Sequence, residues 1–399
     1  MVLPVPWVLL AGLAFALGWV TATPAFYWLG YLMIAVWLIG AAAGRLAQRS
    51  LSAVRKLSAD QVAHGGEVRV EVTVTNASSL PVPWLVAAES LPAGLPMTGV
   101  RGRVGPVGAH RSVSFRYTLH AGRRGYYHIG PTVLRTGDIF GLSRKEIGGA
   151  GVEALTIFPR VIPITHARMP SRRPAGEVRA RQRVLEDPTQ IVGIRPYQHG
   201  DGLRRIHWRA TAHTGRLQSK LYELSAQVET MLVVNLRRSD YPGYPADAAE
   251  AAELTVTAAA SIADHVLQRR HRIGLLALGR DPAGEADGGI LRLRADRDRD
   301  HLTAILSLLG RIQLGQAEDL VSVLEREKED WSWGALVILI TPTLSTGALR
   351  SAMGLRSSGF DVKAVLVSRG AAVDAAGLEP LGISTTVVRS EADIHGLDI

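Results

Sequence analysis

The chain has 399 residues, enough for two or three domains, and 47% of them are hydrophobic, which excludes wholesale disorder. It contains no cysteine, which excludes disulfides, thiolate metal ligands and cysteine nucleophiles and fits a reducing compartment. The formal net charge of +9 belongs to one segment, because residues 160–220 hold thirteen Lys/Arg and four Asp/Glu while the remainder is neutral.

The first 44 residues are uncharged and contain two apolar stretches of nineteen residues each, 2–20 and 26–44. About twenty apolar residues cross a bilayer as a helix, so the pattern predicts a membrane hairpin of two transmembrane helices over residues 1–44. The alternative is a signal peptide followed by a buried helix. A signal peptide begins with a positive region, and the first ten residues have no Lys or Arg.

Basic residues follow the second apolar stretch, whereas the loop between the two stretches carries no charge. We expect a juxtamembrane linker over residues 45–59 that contains Arg45, Arg49, Arg55 and Lys56. Positive flanks stay in the cytoplasm, and an even number of spans returns both termini to the same side. The sequence therefore predicts a multi-pass protein of the cell membrane with its soluble domains in the cytoplasm.

Short strand-like runs fill residues 60–165. Valines alternate with polar residues between 68 and 74, the period of a half-buried strand, and further runs of this kind follow between turn residues. Strands at this spacing, without a convincing helix, predict a small antiparallel β-sandwich.

Residues 166–228 form a basic connector with few apolar runs, and Pro170 and Pro174 argue against a continuous helix in it. A basic block beside a membrane can bind anionic lipid headgroups. Aromatic residues do not interleave with the arginine run before residue 184, so we expect no nucleic-acid partner.

Residues 229–399 alternate between apolar strands and amphipathic helices. Continuous apolar or β-branched runs lie at 230–236, 272–279, 335–341, 362–368 and 383–388, as in central strands that are covered on both faces. Residues 288–296 have the alternation of a short edge strand, and four helical patterns separate the runs. This alternation predicts a doubly wound, mostly parallel α/β sheet.

The order of these elements resembles a von Willebrand factor A domain. Such domains carry an Asp-x-Ser-x-Ser motif after the first strand, where oxygen ligands hold a divalent ion. The matching stretch here has Asn235 in the aspartate position and Arg237 in the first serine position, and keeps Ser239. Pro342 stands where a later carboxylate is usual. The resemblance therefore implies the fold, and these departures predict that no divalent metal binds.

Two further stretches resemble the domain of unknown function 58 family. One is RPYQHGDGLRRIHWRATAHTGRL at 195–217, and the other is RGYYHIGPTVLRTGDIFGL at 124–142. The resemblance implies a membrane-bound protein associated with a MoxR-type AAA+ ATPase and with a transglutaminase-like membrane protein. No GxxxxGK[ST] motif occurs, so any ATP-driven step must belong to a partner.

The stretch at 195–217 allows two interpretations. His199, Asp201 and His207 could be metal ligands or an acid–base set acting on an anionic substrate, which would make the protein a hydrolase-like enzyme. No Gly-x-Ser-x-Gly or HExxH motif supports that chemistry, and the nearby arginines would repel a metal ion.

The other interpretation is an arginine clamp. Asp201 would accept hydrogen bonds from neighbouring arginines, Gly200 would permit the turn, and Trp208 would insert into a core. We favour this structural and interaction role and assign no catalytic residue, cofactor or metal. The residues of the predicted motif are Arg195, Tyr197, Gly200, Asp201, Arg205, His207 and Trp208. The sequence thus predicts a non-catalytic interaction or assembly module at the membrane.

Overall fold

The computed structural model describes residues 5–137, 144–165, 186–198, 202, 206–224, 229–284, 288–368 and 383–398. The chain forms two compact units. The first comprises Met1–Arg160, Asp281–Ala286 and Leu306–Gln313, and the second comprises Val161–Arg280, Asp287–Ile305 and Leu314–Ile399.

Two apolar helices, α1 (Val5–Thr21) and α2 (Pro24–Ser50), open the first unit and pack against each other. Trp7 donates its indole N–H to the carbonyl of Met33 at 3.1 Å, and the ring of Phe15 meets that of Tyr31 edge-on. Among the described residues, one helix, Pro24–Leu46, is long and apolar enough to cross a membrane. Helix α1 is apolar but shorter, with 17 residues, so the second predicted span stays a prediction.

Eleven strands follow in the described part of the first unit. They are β1 (Leu51–Leu57), β2 (Gln61–Val62), β3 (Glu67–Asn76), β4 (Val82–Glu89), β5 (Met97–Gly99), β6 (Gly102–Val107), β7 (Ser112–His120), β8 (Gly125–Ile129), β9 (Thr132–Gly137), β10 (Arg144–Gly148) and β11 (Glu153–Ile157). They form sheets in the orders β1-β3-β7-β5, β10-β9-β4-β6 and β2-β11-β8. All pairs are antiparallel except β2 with β11. The small β-rich region is therefore confirmed, with one parallel pair that the sequence did not reveal.

The region expected to be a linker is regular structure. Helix α2 continues to Ser50, and strand β1 begins at Leu51 without an intervening residue. Strand β1 pairs with β3 along its whole length, from Leu51 opposite Asn76 to Leu57 opposite Val70. The cross-strand hydrogen bonds and the buried side chain of Leu51 hold this segment in the sheet.

A buried ion pair lies inside the β-rich region. Arg55 on β1 contacts Glu89 on β4, and both side chains are 0% exposed. Thr132 donates its hydroxyl to Glu89 at 3.0 Å, and Arg55 also donates to the carbonyl of Gly151 at 2.6 Å. Gly130 adopts φ 99°, and a Cβ there would collide with the Arg55 guanidinium. We expected Arg55 to be one of the positive residues that flank the membrane. It is instead the buried partner of a carboxylate.

The second unit contains eight further strands and six further helices within the described residues. The strands are β12 (Glu186–Pro196), β13 (Gln218–Leu224), β14 (Thr230–Asn235), β15 (Ile273–Leu278), β16 (Ile290–Asp296), β17 (Leu336–Thr341), β18 (Asp361–Val367) and β19 (Ser384–Val388). The helices are α3 (Trp208–Thr214), α4 (Pro245–Gln268), α5 (Arg299–Arg311), α6 (Leu320–Glu327), α7 (Thr346–Ser357) and α8 (Glu391–Ile394); the end of α5 belongs to the first unit.

Six of these strands form one sheet in the order β16-β15-β14-β17-β18-β19. All neighbours are parallel except β15 and β16, which are antiparallel. Every residue of β14, β15 and β17 is buried, which explains their continuous apolar sequences. The mixed α/β sheet and the edge position of residues 288–296 are thus confirmed. Because β14 neighbours both β15 and β17, the chain order reverses between β14 and β17, and such reversals are where open α/β sheets hold ligands.

Candidate functional site

The stretch at 195–217, which we call the signature stretch, contains the end of strand β12 and helix α3 and leads into strand β13. Strands β12 and β13 pair antiparallel, with Arg195 opposite Ser219, and helix α3 lies between them in sequence. The backbone N–H of Tyr197 donates to Leu217 at 3.0 Å, and that of His207 donates to Gln218 at 2.8 Å. These bonds hold Tyr197 and His207 beside the start of strand β13.

The predicted motif is only partly described. Gly200, Asp201 and Arg205, together with His199 of the enzyme alternative, lie outside the described residues, so the clamp around Asp201 stays a prediction. Arg195 and Tyr197 are both half-buried on the paired segment. The structure therefore locates the strand that leads into the motif and the helix that leaves it.

His207 is the N-cap of helix α3. Its Nδ1 accepts a hydrogen bond from the backbone N–H of Ala210 at 3.1 Å, which satisfies one of the free donors at the start of the helix. An imidazole nitrogen that accepts this bond cannot at the same time take a proton from a substrate. The observed contact supports a structural role for Nδ1 of His207.

Trp208 is 65% exposed, so the prediction that it inserts into a core is wrong. Helix α3 has seven residues and buries none of them. It is held instead by the His207 cap, by Gly215 in a left-handed C-cap at φ 64°, and by the Gln218 N–H bond to the Thr211 hydroxyl at 3.0 Å. These polar contacts hold the helix while the indole stays exposed.

A polar cluster lies where β14 and β17 end, at the point where the chain order of the sheet reverses. Asn235 is fully buried, and its Nδ2 donates to Asp240 at 2.8 Å and to the Thr341 hydroxyl at 3.1 Å. Its Oδ1 accepts from the backbone N–H of Arg237 at 3.0 Å. The amide nitrogen thus connects the ends of β14 and β17, and the amide oxygen holds the turn that follows β14.

Arg237 sits between two carboxylates in this cluster. Its Nη1 lies 2.9 Å from Asp319 and 3.4 Å from Asp240. Asp319 is also the N-cap of helix α6, where it accepts from the Val321 N–H at 3.2 Å. The guanidinium therefore supplies the positive charge that these two carboxylates face. Within the described residues no group of three or more His, Asp or Glu is arranged to hold a metal ion.

The two acids of the cluster, Asp240 and Asp319, were not singled out from the sequence. Asp240 follows Ser239 directly, and Asp319 precedes a helical pattern in the position of an N-cap, which is a recognisable signal. Their convergence on Arg237 joins residues 82 positions apart and follows only from the topology of the sheet.

Comparison with known proteins places this stretch in context. Residues 193–373 match the family described as "Protein of unknown function DUF58". That match includes the described motif residues Arg195, Tyr197, His207 and Trp208 and the Arg237 cluster.

One curated relative is the "Uncharacterized protein YeaD" of Bacillus subtilis (strain 168). It is 27% identical over 240 residues, which cover 58% of this chain and 57% of the relative. The match thus spans little more than half the length of that relative.

Solved structures give weaker likenesses. The CARDB domain of PF1109 from Pyrococcus furiosus is 13% identical with a TM-score of 0.22, covering 27% of this chain and 94% of that domain. The pilus adhesin SpaC from Lactobacillus rhamnosus GG is 12% identical with a TM-score of 0.32, covering 42% of this chain and 29% of the adhesin. TM-scores this low do not define a shared fold.

Proposed function

We propose that the protein is a membrane-anchored, non-catalytic interaction and assembly module that works with a MoxR-type AAA+ ATPase. The observation that carries the proposal is the exposed Trp208 on a helix that buries none of its residues. A large aromatic side chain left in solvent and held on a capped helix is typical of a residue that a partner protein covers.

The cluster at the sheet edge supports a non-catalytic role. The strand order, with the first strand in the centre and one antiparallel edge strand, supports the von Willebrand factor A-like assignment. In place of a metal ion, the cluster contains the guanidinium of Arg237. An arginine already paired with two carboxylates cannot polarise a substrate as a Lewis acid would.

A membrane anchor formed by helices α1 and α2, both treated as spans, completes the proposal. Arg45 lies at the end of the candidate span, and Arg49 and Lys56 follow it. All three are exposed, so the positive-inside bias still favours cytoplasmic soluble domains without Arg55. A transglutaminase-like membrane protein is a second proposed partner, and the basic segment at 160–220 can add contacts to anionic headgroups.

The test is co-purification from native membranes. The full-length protein, Trp208→Ala and Trp333→Ala are each isolated with the MoxR-type ATPase of the same organism as the measured partner. Trp333 is the matched control, because it is 62% exposed in a different part of the second unit. We expect Trp208→Ala to lose the ATPase and Trp333→Ala to keep it, with equal melting temperatures. Retention of the ATPase by Trp208→Ala would refute the proposal.

A further inference from the structure

Helix α3 and the turn after it expose both apolar and basic side chains, which we call the signature surface: Trp208, Arg209, His213, Arg216 and Leu217. From this surface we infer that the partner contributes an acidic protein segment with an apolar side chain, which docks across Trp208 and the two arginines. The inference rests on the proposed function and specifies the chemistry of its partner.

The apolar part of the signature surface consists of Trp208 and Leu217, which are 65% and 46% exposed. All residues from 212 to 217 are exposed, so the backbone around these two side chains is accessible as well. Tryptophan and arginine are the residue types most enriched among those that dominate protein interfaces. The composition of the surface therefore favours a protein partner.

The charge of the signature surface has one sign. Arg209 and Arg216 are exposed, and neither has an ion pair with any residue that the structure describes. The sequence from 202 to 222 contains no Asp or Glu. Some exposed arginines elsewhere do have a carboxylate partner, as Arg116 does with Glu71. Interfaces match opposite potentials, so the surface fits a segment rich in carboxylates.

The signature surface is already formed before a partner arrives. The His207 cap at one end of α3 and the Gly215 C-cap at the other fix the helix, and the Gln218–Thr211 bond ties it to strand β13. A helix of seven residues is about 10 Å long, so an extended segment of about four residues can reach from Trp208 to Arg216. A preformed surface loses little conformational entropy on binding.

A lipid bilayer fits the signature surface less well than an acidic protein segment does. Helices that lie in a bilayer interface present a continuous apolar face, which sinks into the acyl region. After Trp208, helix α3 contains only Arg, Ala, Thr and His, so the indole has no large apolar neighbours along the helix with which to form such a face. The acidic protein segment is therefore the occupant that the composition favours.

The experiment uses the full-length protein in nanodiscs of uncharged phosphatidylcholine. The probe is a fluorescent peptide of alternating glutamate and leucine, and its lysine–leucine counterpart is the control peptide. We expect the acidic peptide to bind and its affinity to fall about tenfold in Arg209→Glu/Arg216→Glu, because two exposed ion pairs are lost. Arg350→Glu, which changes an exposed arginine on helix α7, should bind like the parent.

Three results would overturn the inference: equal binding of both peptides, equal affinity of the charge-reversed variant, or recruitment of phosphatidylserine vesicles without peptide binding. Arg209→Gln/Arg216→Gln repeats the test with a smaller change if the charge-reversed variant melts early. The proposed function is judged separately. If Trp208→Ala loses the ATPase while charge reversal leaves peptide binding unchanged, the inference fails and the proposed function stands.

Discussion

Arg55 and Glu89 form an ion pair in which neither side chain is exposed to solvent, inside a β-rich region whose core consists mainly of valine, leucine and isoleucine. Such a pair loses the solvation of both charges and recovers it only through its own contacts, here with Thr132 and the Gly151 carbonyl. Each of the two charges is therefore tolerated in the core only because the other is present, and the pair as a whole adds little to the stability of the fold.

This dependence predicts an asymmetric response to substitution. Glu89→Ala leaves the buried Arg55 guanidinium with only the partly exposed carboxylate of Glu153, 3.6 Å away, and should lower the free energy of unfolding by about 3–5 kcal/mol. The double variant Arg55→Met/Glu89→Leu removes both charges and should recover most of that loss. Chemical denaturation of the full-length protein in detergent measures both effects. A double variant as unstable as Glu89→Ala would contradict the account.

The cap at His207 predicts which substitutions the signature helix tolerates. Asparagine is a good N-cap and alanine is a poor one, so His207→Asn should melt like the parent while His207→Ala loses about 1 kcal/mol. Binding to the ATPase should follow the same order. If His207 were a general base, both variants would be equally inactive while both stayed folded, and that result would favour the enzyme interpretation.

The contacts of Arg237 predict that divalent cations do not stabilise the protein. Because the guanidinium already lies between Asp240 and Asp319, millimolar Mg²⁺ or Mn²⁺ should leave the melting temperature of the full-length protein unchanged. Arg237→Ala should lower stability by about 1 kcal/mol, since the paired groups are partly exposed. A rise of several degrees with metal in the parent, lost in Ser239→Ala, would show that the ion binds there.

Glu327 should contribute to the acid sensitivity of the second unit. Hydrogen bonds from Arg292 hold the pKa of this carboxyl below its ordinary value of 4.5. A lowered folded pKa gives stability that is complete above the ordinary value and is lost as the pH falls through the folded one. The difference in unfolding free energy between the parent and Glu327→Gln should therefore be constant near neutrality and shrink below about pH 4. A difference that does not change with pH would contradict this.

Topology gives a prediction about the anchor. A reporter fused after Ile399 should be active only in its cytoplasmic form, because Arg45, Arg49 and Lys56 remain as the exposed positive flank. Replacing these three residues with glutamine should weaken the orientation, whereas Arg55→Gln should lower stability without changing the orientation. Activity of an exported reporter on the parent would overturn the assignment.

The parts of the fold that the sequence predicted are those set by local pattern. The valines between 68 and 74 and the apolar runs of β14, β15 and β17 are buried as their periods indicated. Three features escaped prediction, two of them because they depend on contacts distant in sequence. Arg55 is neutralised by a carboxylate 34 positions away, and Arg237 by one 82 positions away. Trp208 stays in solvent because its helix is capped by polar groups on both sides and meets no core.

Strand β1 follows helix α2 directly, and this limits how far the β-rich region can move from the end of the helix. A flexible linker of ten residues would let a tethered domain wander by about 15–20 Å, but here the strand begins at Leu51, immediately after the helix ends. The candidate span ends at Leu46, so the four residues to Ser50 add about 6 Å of helical rise. In a bilayer, the distance between this region and the headgroups would therefore be fixed. A change in the tilt of helix α2 would move the paired strands β1 and β3 with it.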